Sequence, residues 1–316
     1  MTTNISSSRK MVLVIGAAGL DIIGRLSTLP DPGVSTPAVV RPSYGGVARN
    51  VAENLARLGQ PVSMITAVGQ DPFGRHLLKH SADAGVDISA CMEVENGHTA
   101  SYLAVLKEDG HLYFALDDMR ILSNLTPAYL RQNHEQFHQA GMVFIDANLS
   151  PASIRTVLSL AHRYRIPVCA DSTSKQFASR LSPHLSQLKL ITANIYEASI
   201  LIGSSEAPQD PQVALQVAHQ LVDAGSSIAM VSLAEFGVCY ASSETYGHVP
   251  AIHTNVLDST GAGDALTATV IFGLMNEMSL DDAIRLGVSA ASLTLRYPGT
   301  VRPDLSLELL YDQLVI

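Results

Sequence analysis

The chain has 316 residues, 47% of them hydrophobic, a length that suits one large α/β domain or two small ones and buries ample core. A formal net charge of −9, with no Lys/Arg cluster, argues against nucleic acid or an acidic membrane surface and favours a small-molecule partner. Cys91, Cys169 and Cys239 are far apart and lack C-x-x-C spacing; they point to neither a disulfide framework nor a zinc site, and a reducing cytoplasm is the expected setting. The polar stretch from Met1 to Lys10 and the short apolar run after it do not read as a signal peptide or a membrane span.

Met11 to Ile15 reads as a buried strand ending at Gly16, with Gly19-Leu20-Asp21 at its carboxyl end. Ligands of open parallel sheets sit outside the carboxyl ends of the strands, so Asp21 is a candidate to hold substrate hydroxyls; a loop Asp capping a turn is the plainer alternative. Pro30 to Pro42 is proline-rich, an edge strand or a loop, and Gly45-Gly46 ends it. Val47, Val51, Leu55 and Leu58 then mark one face of a helix that stops at Gly59. Its first turns carry Arg49, a candidate binder or a solvated surface cation, and Asn50, which can both donate to and accept from a hydroxyl. Val62 to Val68 reads as a strand and Pro72 to Ala84 as a helix, the rhythm of a parallel sheet. Thr99 to Leu106 and His111 to Leu116, joined by Lys107-Glu108-Asp109-Gly110, read as a hairpin in a small antiparallel insertion. With Ile22 to Tyr44 it would form a sheet covering the strand ends.

Pro127 to Ala140 reads as one helix and contains His134-Glu135-Gln136-Phe137-His138, a zinc-protease pattern; the position of a third histidine ligand holds Phe144, and that reading is set aside. Met142 to Ala147 and Pro167 to Ala170 read as core strands ending in or near Asp146 and Asp171, with a crossover helix from Ser153 to Tyr164. Lys189 to Thr192 is another strand, followed by Asn194 and Glu197, a capping pair three residues apart. Ser226 to Ser232 is a further strand and Leu280 to Leu295 a closing helix. Between them stands Asp258-Ser259-Thr260-Gly261-Ala262-Gly263-Asp264, opening a helical run. Two glycines flanking an alanine turn the backbone tightly into a helix whose free N–H groups favour an anion, and Asp264 at the rim can take a proton from a hydroxyl. That combination points to phosphoryl transfer to an alcohol, the alternative being a glycine loop with an acid in the first helical turn.

Thr260-Gly261-Ala262-Gly263-Asp264 resembles the C-terminal signature of the ribokinase-like (PfkB) family of sugar and nucleoside kinases, and Gly45-Gly46-Val47-Ala48-Arg49-Asn50, with Gly59 and Gly69, is similar to its N-terminal signature. The resemblance implies an α/β three-layer sandwich: a mostly parallel central sheet with a small β-sheet lid, residues 1–316 as a single domain and the lid from approximately 17–45 and 90–118. It implies a phosphotransferase that uses ATP with Mg2+, and K+ in some members. Asp264 would be the base, and the amides of Gly261, Ala262 and Gly263 would steady the moving phosphoryl group. Asp21, Gly45, Gly46, Arg49 and Asn50 would hold the acceptor; Asn194, Glu197, Ser232, Gly237 and Thr260 the nucleotide. Glu197 would reach magnesium through water, and Asp258 with Thr260 would help form a monovalent-cation site. A homodimer through the lid is the expected assembly.

Thr99 to Leu103, Asp118-Met119, Thr254 to Val256 and Pro303 to Ser306 resemble nucleoside-phosphorylating members, which implies a nucleoside acceptor. Gly19 stands where the family often has Asn, Ala234 for a usual Gly and Ser172 for a frequent Pro, while Lys175 is displaced from the usual lysine. These departures leave open another sugar or nucleoside kinase, or a silent nucleoside-binding regulator.

Overall fold

Near-continuous apolar runs build a sheet of eight strands in the order Tyr246–Val249, Val238–Ser242, Ile228–Ser232, Leu190–Asn194, Val168–Asp171, Ala140–Asp146, Met11–Ile15 and Val62–Ile65. The structure is a computed structural model, and it describes residues 10–30, 33–108, 112–204 and 208–314. From Ile228–Ser232 to Val62–Ile65 the strands run parallel; Val238–Ser242 and Tyr246–Val249 close one edge antiparallel. Both faces are covered, which is why the parallel strands are near-continuously apolar rather than alternating, with polar residues mostly at their carboxyl ends. Leu13 and Ile15 enter one core with helices Pro151–Tyr164 and Pro211–Asp223; Val12 and Val14 enter the other with helices Val47–Arg57, Ala262–Met275 and Leu280–Leu295. This is the three-layer α/β arrangement expected.

A second sheet has the order Ala38–Gly45, Gly19–Leu26, Ala100–Leu106, Leu112–Asp118. The hairpin pairs antiparallel, as expected, but Ala100–Leu106 runs parallel to Gly19–Leu26, so the insertion is a mixed sheet. The two chain stretches run in the same direction, and Gly19 lets them close up: a Cβ there would lie 2.6 Å from the Ala100 carbonyl oxygen. The predicted Asp109-Gly110 turn lies outside the described residues.

Two predicted elements are divided. Val62 to Val68 breaks at Thr66, whose hydroxyl donates to the Gly16 carbonyl at 2.7 Å, and Ala67–Gly69 pairs instead with Met92–Val94. Pro127 to Ala140 is two short helices, Pro127–Gln132 and His134–Gln139, parted at Asn133, whose side chain donates to the Tyr129 carbonyl. The histidines of the protease-like pattern pack on Tyr164, His134 within 3.1 Å of its hydroxyl and His138 edge-on to its ring.

Candidate active site

The carboxyl ends of the parallel strands, the start of Gly19–Leu26 and the N-termini of helices Val47–Arg57 and Ala262–Met275 converge. Gly261 opens the second helix at φ 82°, and a Cβ there would lie 1.9 Å from the Thr300 carbonyl oxygen, so no other residue fits. Helical pairing begins with Ala265 N–H donating to the Gly261 carbonyl, 2.9 Å, which leaves the preceding amides of Ala262, Gly263 and Asp264 without intrahelical partners. Gly263 differs from Gly261: a Cβ built on it meets nothing within 4 Å. Open space therefore lies beside Gly263, in the first turn of the helix.

Asp264, in the first turn and half-buried, accepts from Asn50 Nδ2 at 2.7 Å. The Asn50 amide is oriented by Arg49, whose Nη1 donates to Asn50 Oδ1 at 2.9 Å, to the Tyr44 carbonyl at 2.9 Å and to Thr300 Oγ1 at 3.2 Å. Arg49 is 2% exposed and its Nη2 pairs with Glu53, which also takes Arg57. Burial pulls the Arg49 pKa down and Glu53 opposes this, so the guanidinium is an internal strut tied to the helix it sits on. A solvated cation does not describe it: both terminal nitrogens bond to the protein, and Nε is buried without a partner among the described residues.

Asp21 is 7% exposed, and Gly45 across the sheet makes room for it, since a Cβ at Gly45 would overlap the Asp21 carboxylate. Gly46 follows at φ 95° and leads into the Asn50 helix. Burial, then the charge of Asp264, pushes the Asp21 pKa up to about 7, with Arg49 opposing. Burial also raises Asp264, to about 6; the Asn50 hydrogen bond opposes this and the charge of Asp146 adds to it. The two acids are thus near enough to feel one another, and both titrate close to neutrality.

Two acids that the sequence marked only as strand ends belong to the same region. Asp146 is fully buried and accepts from the amides of Ala17 at 2.7 Å, Ala48 at 3.2 Å and Asn148 at 3.0 Å, tying the stretch before Asp21 to the start of the Asn50 helix. Asp171 accepts from Thr192 Oγ1 and the Thr173 amide, both at 2.7 Å; burial, then Glu197 and Asp264, raise it well above the usual carboxylate range. An acid closing an apolar strand was the available signal; the long-range bonds were not.

On the next strands, Asn194 caps helix Ile195–Leu201 and Glu197 completes a capping box. Glu197 Oε2 also accepts from Ser172 Oγ at 2.6 Å, so the residue that replaces a frequent family proline has a structural use. Ser232 lies beside Asn194 in register, and Gly237 ends the following turn at φ 93°. Ala234 in that turn is held at φ 49°, a conformation costing a non-glycine residue about 1 kcal/mol. Asp258 Oδ1 accepts from the Thr260 amide at 2.9 Å and closes the turn leading into Gly261.

Fold and site together define a ribokinase-like protein. The pfkB family carbohydrate kinase pattern matches residues 9–306, and the chain belongs to that family of sugar and nucleoside kinases. It is 31% identical over 298 residues to the pseudouridine kinase of Escherichia coli (strain K12), with 94% of each chain covered. Among solved structures, a putative sugar kinase from Clostridium perfringens superposes with a TM-score of 0.82 at 28% identity, covering 98% of this chain and 96% of that one. A putative ribokinase II from E. coli, in complex with ATP and Mg2+, shares the fold with a TM-score of 0.83 at 17% identity, covering 97% and 99%.

Proposed function

We propose that the chain transfers the γ-phosphoryl group of ATP to the 5′-hydroxyl of pseudouridine, giving pseudouridine 5′-phosphate and ADP. The observation that carries the reading is the placement of Asp264: a carboxylate with pKa about 6, beside helix amides without intrahelical partners, with open space beside Gly263. The likeness to a pseudouridine kinase over nearly the whole chain supports pseudouridine as the acceptor.

In this reading the acceptor ribose lies between the two sheets, its hydroxyls on Asp21 and Asn50 and its 5′-oxygen at Asp264. Asp264 accepts the hydroxyl proton as the oxygen attacks the γ-phosphorus and the bond from that phosphorus to the bridging oxygen breaks, releasing ADP, while the amides of Gly261, Ala262 and Gly263 stabilise the charge on the transferring group. Arg49 acts through Asn50, holding its amide toward Asp264. Gly45 and Gly46 admit the ribose; Asn194, Glu197, Ser232, Gly237 and Thr260 line the donor side. Magnesium neutralises phosphate charge in such transfers. Glu197 fits a water-mediated role, since its carboxylate already accepts from Ser172 and Asn194 and so keeps few free lone pairs. Asp258 has one oxygen on the Thr260 amide, and the other, without a hydrogen bond among the described residues, suits a potassium site.

The four-stranded sheet serves as a lid. One of its faces carries Asp21; the other carries Leu116, Val40 and Phe114, 63%, 60% and 44% exposed, an apolar face that suits a second copy in a homodimer. A mass near twice that of the chain by analytical ultracentrifugation is the expected result, lowered by Leu116→Lys.

The direct test supplies MgATP and potassium with pseudouridine, uridine, ribose or adenosine in separate reactions and detects product by mass spectrometry. Phosphorylation chiefly of pseudouridine is expected. Preference for another acceptor keeps the mechanism and removes the substrate; nucleoside binding without ATP consumption replaces the kinase by a regulator. Gly263→Ala isolates the cradle: its methyl meets nothing within 4 Å beyond its chain neighbours and its own helix backbone, so Tm should hold within about 2 °C, while turnover falls at least about tenfold as the methyl crowds the phosphoryl group held at this helix start. Unchanged turnover would remove the cradle from the mechanism.

A further inference from the structure

Side chains directly opposite on neighbouring strands share a face, and one such row crosses the whole four-stranded sheet: Ser43, Asp21, Tyr102, Asp117. Asp21 in this row faces the candidate active site. Asp117 stands two strands further on, about 10 Å away at ordinary strand spacing, close to the length of a nucleoside from its ribose diol to the far edge of its base. Between them Tyr102 is half-buried, its pKa raised by burial and then by the charges of Asp21 and Asp117, which places both acids within its electrostatic reach.

Asp117 also lines a cavity of about 500 Å³, together with Met119, Asn148, Phe177 and Arg180. That volume holds a nucleobase with room for water. One wall is fixed: Arg180 Nη1 donates to the carbonyls of Ala147, Asn148 and Leu149, and its guanidinium lies 4.0 Å from the centre of the Phe177 ring. Asp118 is spent on Arg120, whereas Asp117 makes no hydrogen bond or ion pair among the described residues.

We infer that this cavity is the nucleobase subsite and that Asp117 accepts a hydrogen bond from a ring N–H of the base. The inference rests on the nucleoside-kinase reading and deepens it. An ionised carboxylate only accepts, so it selects for a base edge that donates. Uracil joined to ribose through carbon carries an additional ring N–H where the nitrogen-linked isomer presents a C–H. A carboxylate at that edge therefore separates pseudouridine from uridine, which the ribose contacts of Asp21 and Asn50 cannot do.

The experiment measures kcat/KM for pseudouridine and for uridine in the wild-type chain, Asp117→Ala and Asp117→Asn. Asp117 is exposed on an edge strand, so both variants should fold, and circular dichroism checks this. Asp117→Ala should lower the pseudouridine-to-uridine ratio about 10–100-fold, mainly through KM for pseudouridine, with uridine changed by no more than about twofold; Asp117→Asn, which keeps one acceptor oxygen, should fall between. A wild-type chain selective for pseudouridine whose ratio stays within about twofold in Asp117→Ala overturns the inference and leaves the kinase reading standing. A wild-type chain that phosphorylates no pseudouridine overturns the reading itself, and the inference with it.

Discussion

Asp264→Asn should lower kcat by about 10²–10⁴-fold at pH 8 while leaving nucleoside binding within about threefold. The asparagine amide keeps an oxygen that can still accept from Asn50 Nδ2, now at 2.7 Å from Asp264, so the pocket retains its shape and loses only the proton acceptor. The pH profile makes the role specific. A base must be ionised to work; with Asp264 at about 6 and Asp21 at about 7, the wild-type rate should fall as pH drops through that window. Because the two acids repel one another, the limb belongs to the pair rather than to either residue. In the variant it should flatten toward a single weaker step from Asp21. Single-turnover quench-flow across pH 5–9 measures this; a variant with a tenth or more of wild-type turnover would remove Asp264 as the base.

How much of this was readable beforehand depends on the range over which each feature is decided. The buried strands, the Asn50 helix and Leu280–Leu295 follow from local apolar pattern and glycine stops, and they stand within a few residues of where the pattern puts them. The two glycine-containing turns were legible because their backbone demands are local: Gly261 is needed at φ 82° whatever lies nearby. The breaks at Thr66 and Asn133 were not, since the first depends on the Gly16 carbonyl and the second on a side-chain bond that competes with continuing the helix.

Arg49 shows the limit most clearly. Glu53 four residues on is the ordinary signature of an exposed helical pair. What buries the pair is Thr300, 251 positions away in sequence, together with the Tyr44 carbonyl. The same holds for Asp146, whose three amide donors come from three segments. The candidate site was therefore legible as signatures, while the struts that orient those signatures are tertiary.

The second large effect joins function to stability with opposite signs. Asp21 titrates at about 7 in the folded chain against 3.8 for the free side chain, so the folded state binds its proton more tightly than the unfolded state does. Its contribution to stability is fully present below about pH 4 and is lost as pH rises through about 7. Above that, a buried carboxylate is held ionised near Asp264 at a cost of up to about 4 kcal/mol. Asp21→Asn removes that charge, keeps the shape and spares the space provided by Gly45. It should raise Tm at pH 8 by at least about 2 °C, with most of the gain gone at pH 5, where Asp21 is already protonated. In the same protein KM for the nucleoside should rise about 10–100-fold, because a charged acceptor for the ribose hydroxyls has become a weaker, half-donating amide. Calorimetry at the two pH values and steady-state kinetics at pH 8 read both effects. A Tm gain that is equal at pH 5 and pH 8 would mean that the acid is not carrying unfavourable charge. An unchanged KM would mean that the ribose is held elsewhere. The paired outcome, a more stable chain that binds its acceptor poorly, is what a carboxylate retained for substrate rather than for folding should give.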